Sequence, residues 1–206
     1  LVPEEAMGAF RGENPNGTWT LTVSDDLAGD TGTIASWTLD VFSFTAAPTP
    51  TLANFSNNTP TPIADVTTSS STIAVAGAGT TITDIDLVGG LTHTFTADMD
   101  ITLTSPAGTV VTMSTENGAG NDDVYSGTTW NDSANPAGAV PYVTNNGVTT
   151  DHAYVNLATA TPLVAEEAMS AFVGENPNGT WTLTVSDDLD GDTGTINNWT
   201  LAITTG

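Results

Sequence analysis

The chain alternates apolar and polar side chains over short stretches, a pattern that indicates β-strands rather than helices. In residues 18–24 (TWTLTVS), the Trp, Leu and Val side chains share one face and the polar side chains share the other. This period of two predicts a half-buried antiparallel strand. Residues 37–41 show the same alternation, and residues 180–185 and 199–203 repeat both stretches. The hydrophobic pattern therefore predicts a fold of antiparallel sheets.

Turn residues separate the predicted strands. Residues 100–105 and 109–114 predict a hairpin around Pro106-Ala107-Gly108, because Ser-Pro-x-Gly favours a type I turn. Helical signals are confined to residues 166–172 (EEAMSAF), where we expect one or two turns. Many short strands with Gly, Asn and Asp between them favour an all-β fold, a β-sandwich or jelly roll.

A long internal repeat runs through the chain. Residues 12–27 (GENPNGTWTLTVSDDL) recur letter for letter at residues 174–189. Aligning residues 1–44 with residues 163–206 pairs 33 identical residues among the 44 positions. Self-similarity of this kind is typical of tandem repeat proteins.

The repeat predicts the domain organisation. We expect residues 1–45 to be the C-terminal part of a preceding copy and residues 52–206 to be a complete domain. Between them, residues 46–51 (AAPTPT) predict a semi-rigid Pro/Thr linker. The sequence is thus expected to be part of a longer protein.

Composition excludes several classes of function. One basic residue, Arg11, stands against 24 carboxylates, for a formal charge of −23. Binding to nucleic acid or to anionic membrane needs clustered Lys and Arg, so neither is expected. The chain has no cysteine, which excludes disulfides, thiolate zinc sites and a cysteine nucleophile. No apolar run reaches 18 residues, so membrane insertion is not predicted.

Catalysis has little support in the sequence. A Ser-His-Asp triad needs a histidine, and the chain contains only His93 and His152. His152 lies in no motif. Adjacent carboxylates suit glycosidase chemistry, but so acidic a chain contains such pairs by chance. We therefore expect a protein that is not an enzyme.

Three ordered blocks of sequence are residues 93–109 (HTFTADMDITLTSPAGT), 174–185 (GENPNGTWTLTV) and 191–201 (GDTGTINNWTL). Together they resemble the P domain, also called P/Homo B, of proprotein convertases. His93 lies in the first block, and the resemblance implies that it has a scaffold role. The resemblance covers nearly all of residues 60–206, whereas residues 1–45 match only the end of such a domain. It implies an eight-stranded, galactose-binding-like jelly roll without catalytic residues.

The resemblance also implies a location. P domains follow the catalytic unit of furin-like and kexin-like convertases and of secreted bacterial subtilisin-like proteases. In bacterial proteins they also occur apart from proteases, in large secreted or surface-anchored chains. We therefore expect a secreted, extracellular or cell-surface protein.

The acidic loops predict calcium binding. Residues 187–194 (DDLDGDTG) place carboxylates at near-alternate positions beside glycines, and oxygen ligands so spaced can surround one Ca²⁺ from a single loop. The loop lacks the bidentate Glu of an EF-hand. The candidate ligands are Asp187, Asp188, Asp190 and Asp192, and in the first copy, where Ala28 replaces the last-but-one acid, Asp25, Asp26 and Asp30.

A second predicted calcium cluster joins distant parts of the chain. Its candidate ligands are Asp98, Glu116, Asn121, Asp122, Asp123 and Asp132. A jelly roll can bring such loops together at one end. The alternative is that these acids are simply solvated. The scarcity of Lys and Arg favours bound Ca²⁺ as cofactor, since uncompensated carboxylates repel one another and destabilise a compact state.

The five tryptophans raise the question of sugar binding. Trp19, Trp37, Trp181 and Trp199 lie on the apolar side of predicted strands, which favours a core position. Only Trp130 is predicted to be free to stack on a glycan. A carbohydrate-binding module is therefore retained as an alternative.

Two further functions remain open. The first is a non-catalytic, calcium-binding repeat module with a structural or adhesive role, as in a stalk or filament, which contacts neighbouring repeats. The second is the accessory C-terminal domain of a secreted subtilisin-like serine protease, which would contact its catalytic domain. Near-identical repeats favour the first. Residues 1–45 should in either case pack on another domain or complete a fold with another polypeptide, since bare apolar strands promote association.

Overall fold

The structure is a computed structural model that describes residues 3, 7–10, 12–41, 43, 49–134 and 147–206. Its contacts divide the chain into two compact units. We call Leu1–Arg11 with Thr49–Gly206 the sandwich unit, and the described residues 12–41 of the unit Gly12–Pro48 the repeat segment.

The regular secondary structure of the sandwich unit is almost entirely β-strand, since its helices are single 3-10 turns. The strands are β1 (Thr51–Asn57), β2 (Thr61–Ile63), β3 (Thr68–Val75), β4 (Ile82–His93), β5 (Met99–Thr104), β6 (Val110–Ser114), β7 (Ser126–Trp130), β8 (Gly179–Asp187) and β9 (Gly194–Thr205). The 3-10 turns are Met7–Phe10, Thr96–Asp98, Thr149–Asp151 and Met169–Phe172. The last lies inside the stretch for which one or two turns are predicted.

The strands form two antiparallel sheets. One has the order β1-β9-β4-β7, with β2 also paired to β9, and the other has the order β3-β8-β5-β6. The prediction of an all-β sandwich is confirmed. In the described residues there are nine strands, because the short β2 adds to the eight that the resemblance implies.

The predicted hairpin is also confirmed. Strands β5 and β6 pair with Thr104 opposite Val110. Ser105 N donates to Thr109 O (2.9 Å) and Gly108 N donates to Ser105 O (3.0 Å). Gly108 has φ of 91°, a left-handed conformation that glycine adopts at no steric cost. The turn therefore follows from its own sequence.

The core lies between the two sheets and takes alternate residues from each strand. Trp181 and Trp199, predicted to be core, are 0% exposed. Their indole N–H groups donate to Pro177 O (2.9 Å) and Ser71 Oγ (2.9 Å). Each such buried side chain contributes roughly 1.5–3 kcal/mol of transfer free energy, and its polar atom is satisfied.

Trp130 is a core residue as well. It ends β7, is 0% exposed, and lies with its ring centroid 5.2 Å from that of Tyr125. The prediction that Trp130 is free to bind a glycan is therefore wrong. The residues around Trp130 are polar, so the sequence did not show that β7 places alternate side chains in the core.

The repeat segment forms no strand in its described residues. The strands predicted at residues 18–24 and 37–41 are absent, because no neighbouring strand pairs with them. Trp37, predicted to be core, is 49% exposed, and this prediction is wrong for the same reason. Of the predicted linker, residues 46–48 lie outside the described part of the chain, and Thr51 begins β1.

Candidate functional site: a buried acidic cluster at one end of the sandwich

The strand register brings several predicted site residues to one end of the sandwich. His93, the last residue of β4, lies opposite Gly194, the first residue of β9. In the other sheet, Met99 at the start of β5 lies opposite Asp187 at the end of β8. The 3-10 turn Thr96–Asp98 joins the two sheets at this end. The loops that carry the predicted acids therefore converge here.

His93 links the two sheets. Its Nε2 lies 3.1 Å from Asp187 Oδ2, and both side chains are fully buried. Its Nδ1 lies 2.8 Å from Phe95 O. A Cβ on Gly194 would lie 2.1 Å from Thr92 O and 2.6 Å from His93 Cδ2, so only glycine fits there. These contacts agree with the scaffold role predicted for His93.

Two buried carboxylates at this end lack part of their hydrogen bonding. Asp98 is 3% exposed and Asp187 is 2% exposed. Oδ1 of each is buried without a hydrogen-bond partner. Burial raises the pKa of Asp98, the charge of Asp187 raises it further, and His93 acts in the opposite direction. An unpaired buried carboxylate is costly, so this pair is the strongest candidate for a cation site.

The rest of the predicted loop lies around this pair. Asp188 N donates to Asp98 O (3.2 Å), and Asp192 Oδ1 accepts from Thr94 Oγ1 (2.7 Å). Asp188 and Asp192 also raise the pKa of Asp98. Asp190 is exposed. Its counterpart in the first copy is Ala28.

The loop of residues 116–123 packs against the same turn. Thr96 N donates to Asn121 O and Ala97 N donates to Ala119 O, both at 3.1 Å. Asp123 Oδ1 accepts from His93 N at 3.0 Å. The backbone of the second predicted cluster is thus brought beside Asp98.

The side chains of that loop differ in their surroundings. Glu116 is exposed, whereas Asn121 and Asp122 are half-buried. Asn121 Nδ2 donates to Gly118 O at 2.7 Å. Within the described ranges, no three His, Cys, Asp or Glu side chains form a metal-binding group by themselves. A calcium ion here would therefore need backbone or amide oxygens in its shell, as Ca²⁺ often does.

Asp132 has a different environment. It is 4% exposed, and its two carboxylate oxygens accept from Met169 N (3.0 Å) and Ser170 N (2.7 Å). It therefore anchors the 3-10 turn Met169–Phe172. Its place in the predicted calcium cluster remains a prediction.

The predicted calcium ligands of the repeat segment are all exposed. They are Asp25, Asp26 and Asp30. Asp25 Oδ1 accepts from Leu27 N at 3.3 Å, a local turn contact. The environment of Asp25 thus differs from that of its buried counterpart Asp187.

Two acids near the cluster were missed in the sequence. Asp65 Oδ1 accepts from Gly191 N at 3.0 Å, and no motif around Asp65 predicts this hydrogen bond. Asp100 has a raised pKa because of burial and the charges of Asp188 and Glu116. It lies two residues after Asp98, so the alternate spacing used for residues 187–192 applies to it as well.

A chain of buried hydroxyl groups lies beside the 116–123 loop. Tyr125 Oη is 2.8 Å from Ser114 Oγ and 3.0 Å from Tyr154 Oη, which in turn donates to Thr149 O (3.0 Å). Burial raises the pKa of both tyrosines. The group therefore acts as a neutral hydrogen-bonded network that ties separate segments together.

An open, polar cleft of about 320 Å³ adjoins this network. Its lining residues are Glu116, Asn117, Gly118, Ala119, Asn121, Thr150, His152 and Tyr154. The His152 and Tyr154 rings meet edge to face with centroids 4.9 Å apart. The cleft contains two of the predicted calcium ligands, Glu116 and Asn121.

The family described as "Proprotein convertase P-domain" matches residues 5–41 and 82–203, together more than half of the chain. The chain belongs to the proprotein convertase P-domain family. A P domain is a non-catalytic accessory domain, and no catalytic family is indicated for this chain. The expectation that this chain has no catalytic function of its own is confirmed by its family.

Two similar solved structures come from Aeromonas sobria. One is a serine protease, at 18% identity and a TM-score of 0.45, covering 79% of this chain and 28% of the protease chain. The other is that protease in complex with a chaperone, at 19% identity and a TM-score of 0.47, covering 76% of this chain and 27% of the protease chain. This P-domain chain thus spans little more than a quarter of those proteases. No curated protein matches it.

The P-domain family is typical of secreted proteases. In the described part of this chain, no helix is long and apolar enough to cross a membrane.

Proposed function

We propose that this P domain is the accessory domain of a secreted subtilisin-like serine protease. The observation that carries the proposal is the match of residues 82–203 to the proprotein convertase P-domain family. The domain would support the folding and stability of the catalytic unit, or help it to engage substrate. The domain itself would do no chemistry.

The test begins with the native polypeptide. Peptide mapping by mass spectrometry should find a segment with the Asp, His and Ser motifs of a subtilisin-like domain. In that protease, Leu183→Ala should lower the yield of active enzyme, because Leu183 is 0% exposed in the P-domain core. Leu189→Ala, at a position 57% exposed, should leave the yield unchanged and is the matched control. A native polypeptide without a protease segment would contradict the proposal.

A second candidate is a repeat module with a structural or adhesive role. One observation favours it, the recurrence of residues 12–27 at 174–189. Further copies on both sides, found in the same peptide map, would support this role.

We further propose that the P domain binds Ca²⁺ beside Asp98 and Asp187. Support comes from the two buried oxygens without hydrogen-bond partners and from the raised pKa of Asp98. Asp188 and Asp192 lie in the adjoining loop, and their carboxylates would add negative charge around the bound Ca²⁺. When bound, calcium would neutralise carboxylates that otherwise repel one another.

Calcium should therefore raise the melting temperature relative to EDTA. We expect a shift of roughly 5 to 10 °C when free Ca²⁺ is about a hundred times its dissociation constant. Asp98→Asn should reduce that shift, and in EDTA it should raise the melting temperature, since a neutral side chain replaces a desolvated charge. Asp151→Asn, at an exposed acid, is the control. An equal melting temperature in millimolar Ca²⁺ and in EDTA would overturn the calcium proposal.

A further inference from the structure

The repeat segment keeps the local turns of a folded P domain although it forms no strand. Asn16 N donates to Asn14 Oδ1 (3.0 Å), and Trp19 Nε1 donates to Pro15 O (3.0 Å). The corresponding bonds at the entry to β8 measure 3.0 and 2.9 Å. The local sequence thus sets the conformation that leads into the strand, and only the long-range pairing is missing.

The side chains that face the core in β8 and β9 are retained in the repeat segment, where Trp19 and Leu39 are half-buried and five others are exposed. Their exposures are Leu21 48%, Val23 67%, Ile34 51%, Trp37 49% and Val41 50%, whereas Leu183, Val185, Ile196, Trp199 and Ile203 are each 0% exposed. Between residues 12 and 41, five positions differ from the second copy. Only one of these faces the core, where Val41 corresponds to Ile203. The repeat segment therefore has the full set of core-facing side chains, but most of them are not buried.

The strand pairing of the sandwich unit identifies the partner that such a face needs. Strand β8 pairs with β3 and β5, and β9 pairs with β1, β2 and β4. Strands β8 and β9 belong to different sheets and do not pair with each other. The repeat segment cannot form a sheet by itself, because the counterparts of β8 and β9 within it each need neighbouring strands from another stretch of polypeptide. That stretch must supply equivalents of β1 to β5.

The strands of the sandwich unit are not available for this purpose. They are already paired with its own β8 and β9. We propose that residues 12–41 complete a second P-domain sandwich, whose other strands come from a preceding copy of residues 49–162 in the same polypeptide. By the register of β8, Leu21 would lie opposite the preceding copy's counterpart of Leu103. This inference does not depend on the protease role.

The absence of cysteine from the chain allows a direct test by thiol labelling. Residues 49–162 are added before residue 1 of the full chain, and Val23→Cys is reacted with a maleimide under native conditions. Labelling should be about 100-fold slower than in the chain without the addition, because a core position reacts only on opening. Leu27→Cys is the matched control, since Leu27 and its counterpart Leu189 are both exposed (80% and 57%).

Two further variants keep the outcome interpretable. Val185→Cys, at a buried position, should stay protected in both chains and reports that the sandwich unit is folded. Ile101→Asp with Leu103→Asp, placed only in the added copy, should restore fast labelling of Val23→Cys. If Val23→Cys labels as fast as Leu27→Cys in the extended chain while Val185→Cys is protected, the proposal is overturned. Protection that grows with protein concentration in the chain without the addition would also overturn it, by identifying a second molecule as the partner.

Discussion

Asp132 shows how a single residue of this acidic chain takes a structural role. Its two carboxylate oxygens accept hydrogen bonds from Met169 N and Ser170 N, in a site where only 4% of the residue is exposed. The sequence around Asp132 gives no sign of this, because the donors lie 37 and 38 residues away. An acid that looks like a loop ligand can therefore be an anchor.

Asp132→Ala should destabilise the sandwich unit by about 1 to 3 kcal/mol, because it leaves two backbone N–H groups without an acceptor. Asp132→Asn should cost less, since its amide oxygen still accepts one bond. Denaturant unfolding measures both. Asp151→Ala, at an exposed site, should change the free energy of unfolding by no more than about 0.5 kcal/mol. A loss for Asp132→Ala that appears only in Ca²⁺ would contradict the anchor role and favour calcium ligation.

At the scale of the element, one sequence occurs in two structural settings. Residues 179–187 form β8 between β3 and β5, whereas the identical residues 17–25 form no strand. The alternating pattern correctly predicted β8 and failed for its copy. Alternation encodes which side chains share a face, but a strand also needs neighbours for its backbone hydrogen bonds. Those neighbours are far away in the sequence.

The two copies provide a matched pair of substitutions. Leu183→Ala should destabilise the sandwich unit by about 2 to 5 kcal/mol, because it opens a cavity in the core. Leu21→Ala, the same change at a site 48% exposed, should leave the unfolding free energy within about 0.5 kcal/mol. Denaturant unfolding of the full chain compares the two. Equal losses would show that Leu21 is buried in solution.

For the whole molecule, the sequence predicted the class of fold and the loops that converge, but not the details of the site. Alternation, turn residues and the P-domain blocks predicted a β-sandwich. The sequence placed Asp98 and Asp187 in two separate clusters, and the register brings the two residues together. The bond from His93 to Asp187 and the burial of Trp130 were not predictable. Both depend on which strands pair across the sandwich, which local patterns do not encode.

The pairing of β1 with β9 has a consequence for folding. Thr51 lies opposite Thr205, so the first strand of the sandwich cannot pair with its neighbour until the last strand has been synthesised. Contacts of such long sequence separation close slowly, and the sandwich cannot be completed until the end of the domain has left the ribosome. In a chain with several copies, last strands with nearly the same core face would then compete to pair with the same unpaired early strands. Multidomain chains with similar neighbours are prone to such misassembly. Order of synthesis would therefore favour correct pairing, because each copy finishes before the next one begins.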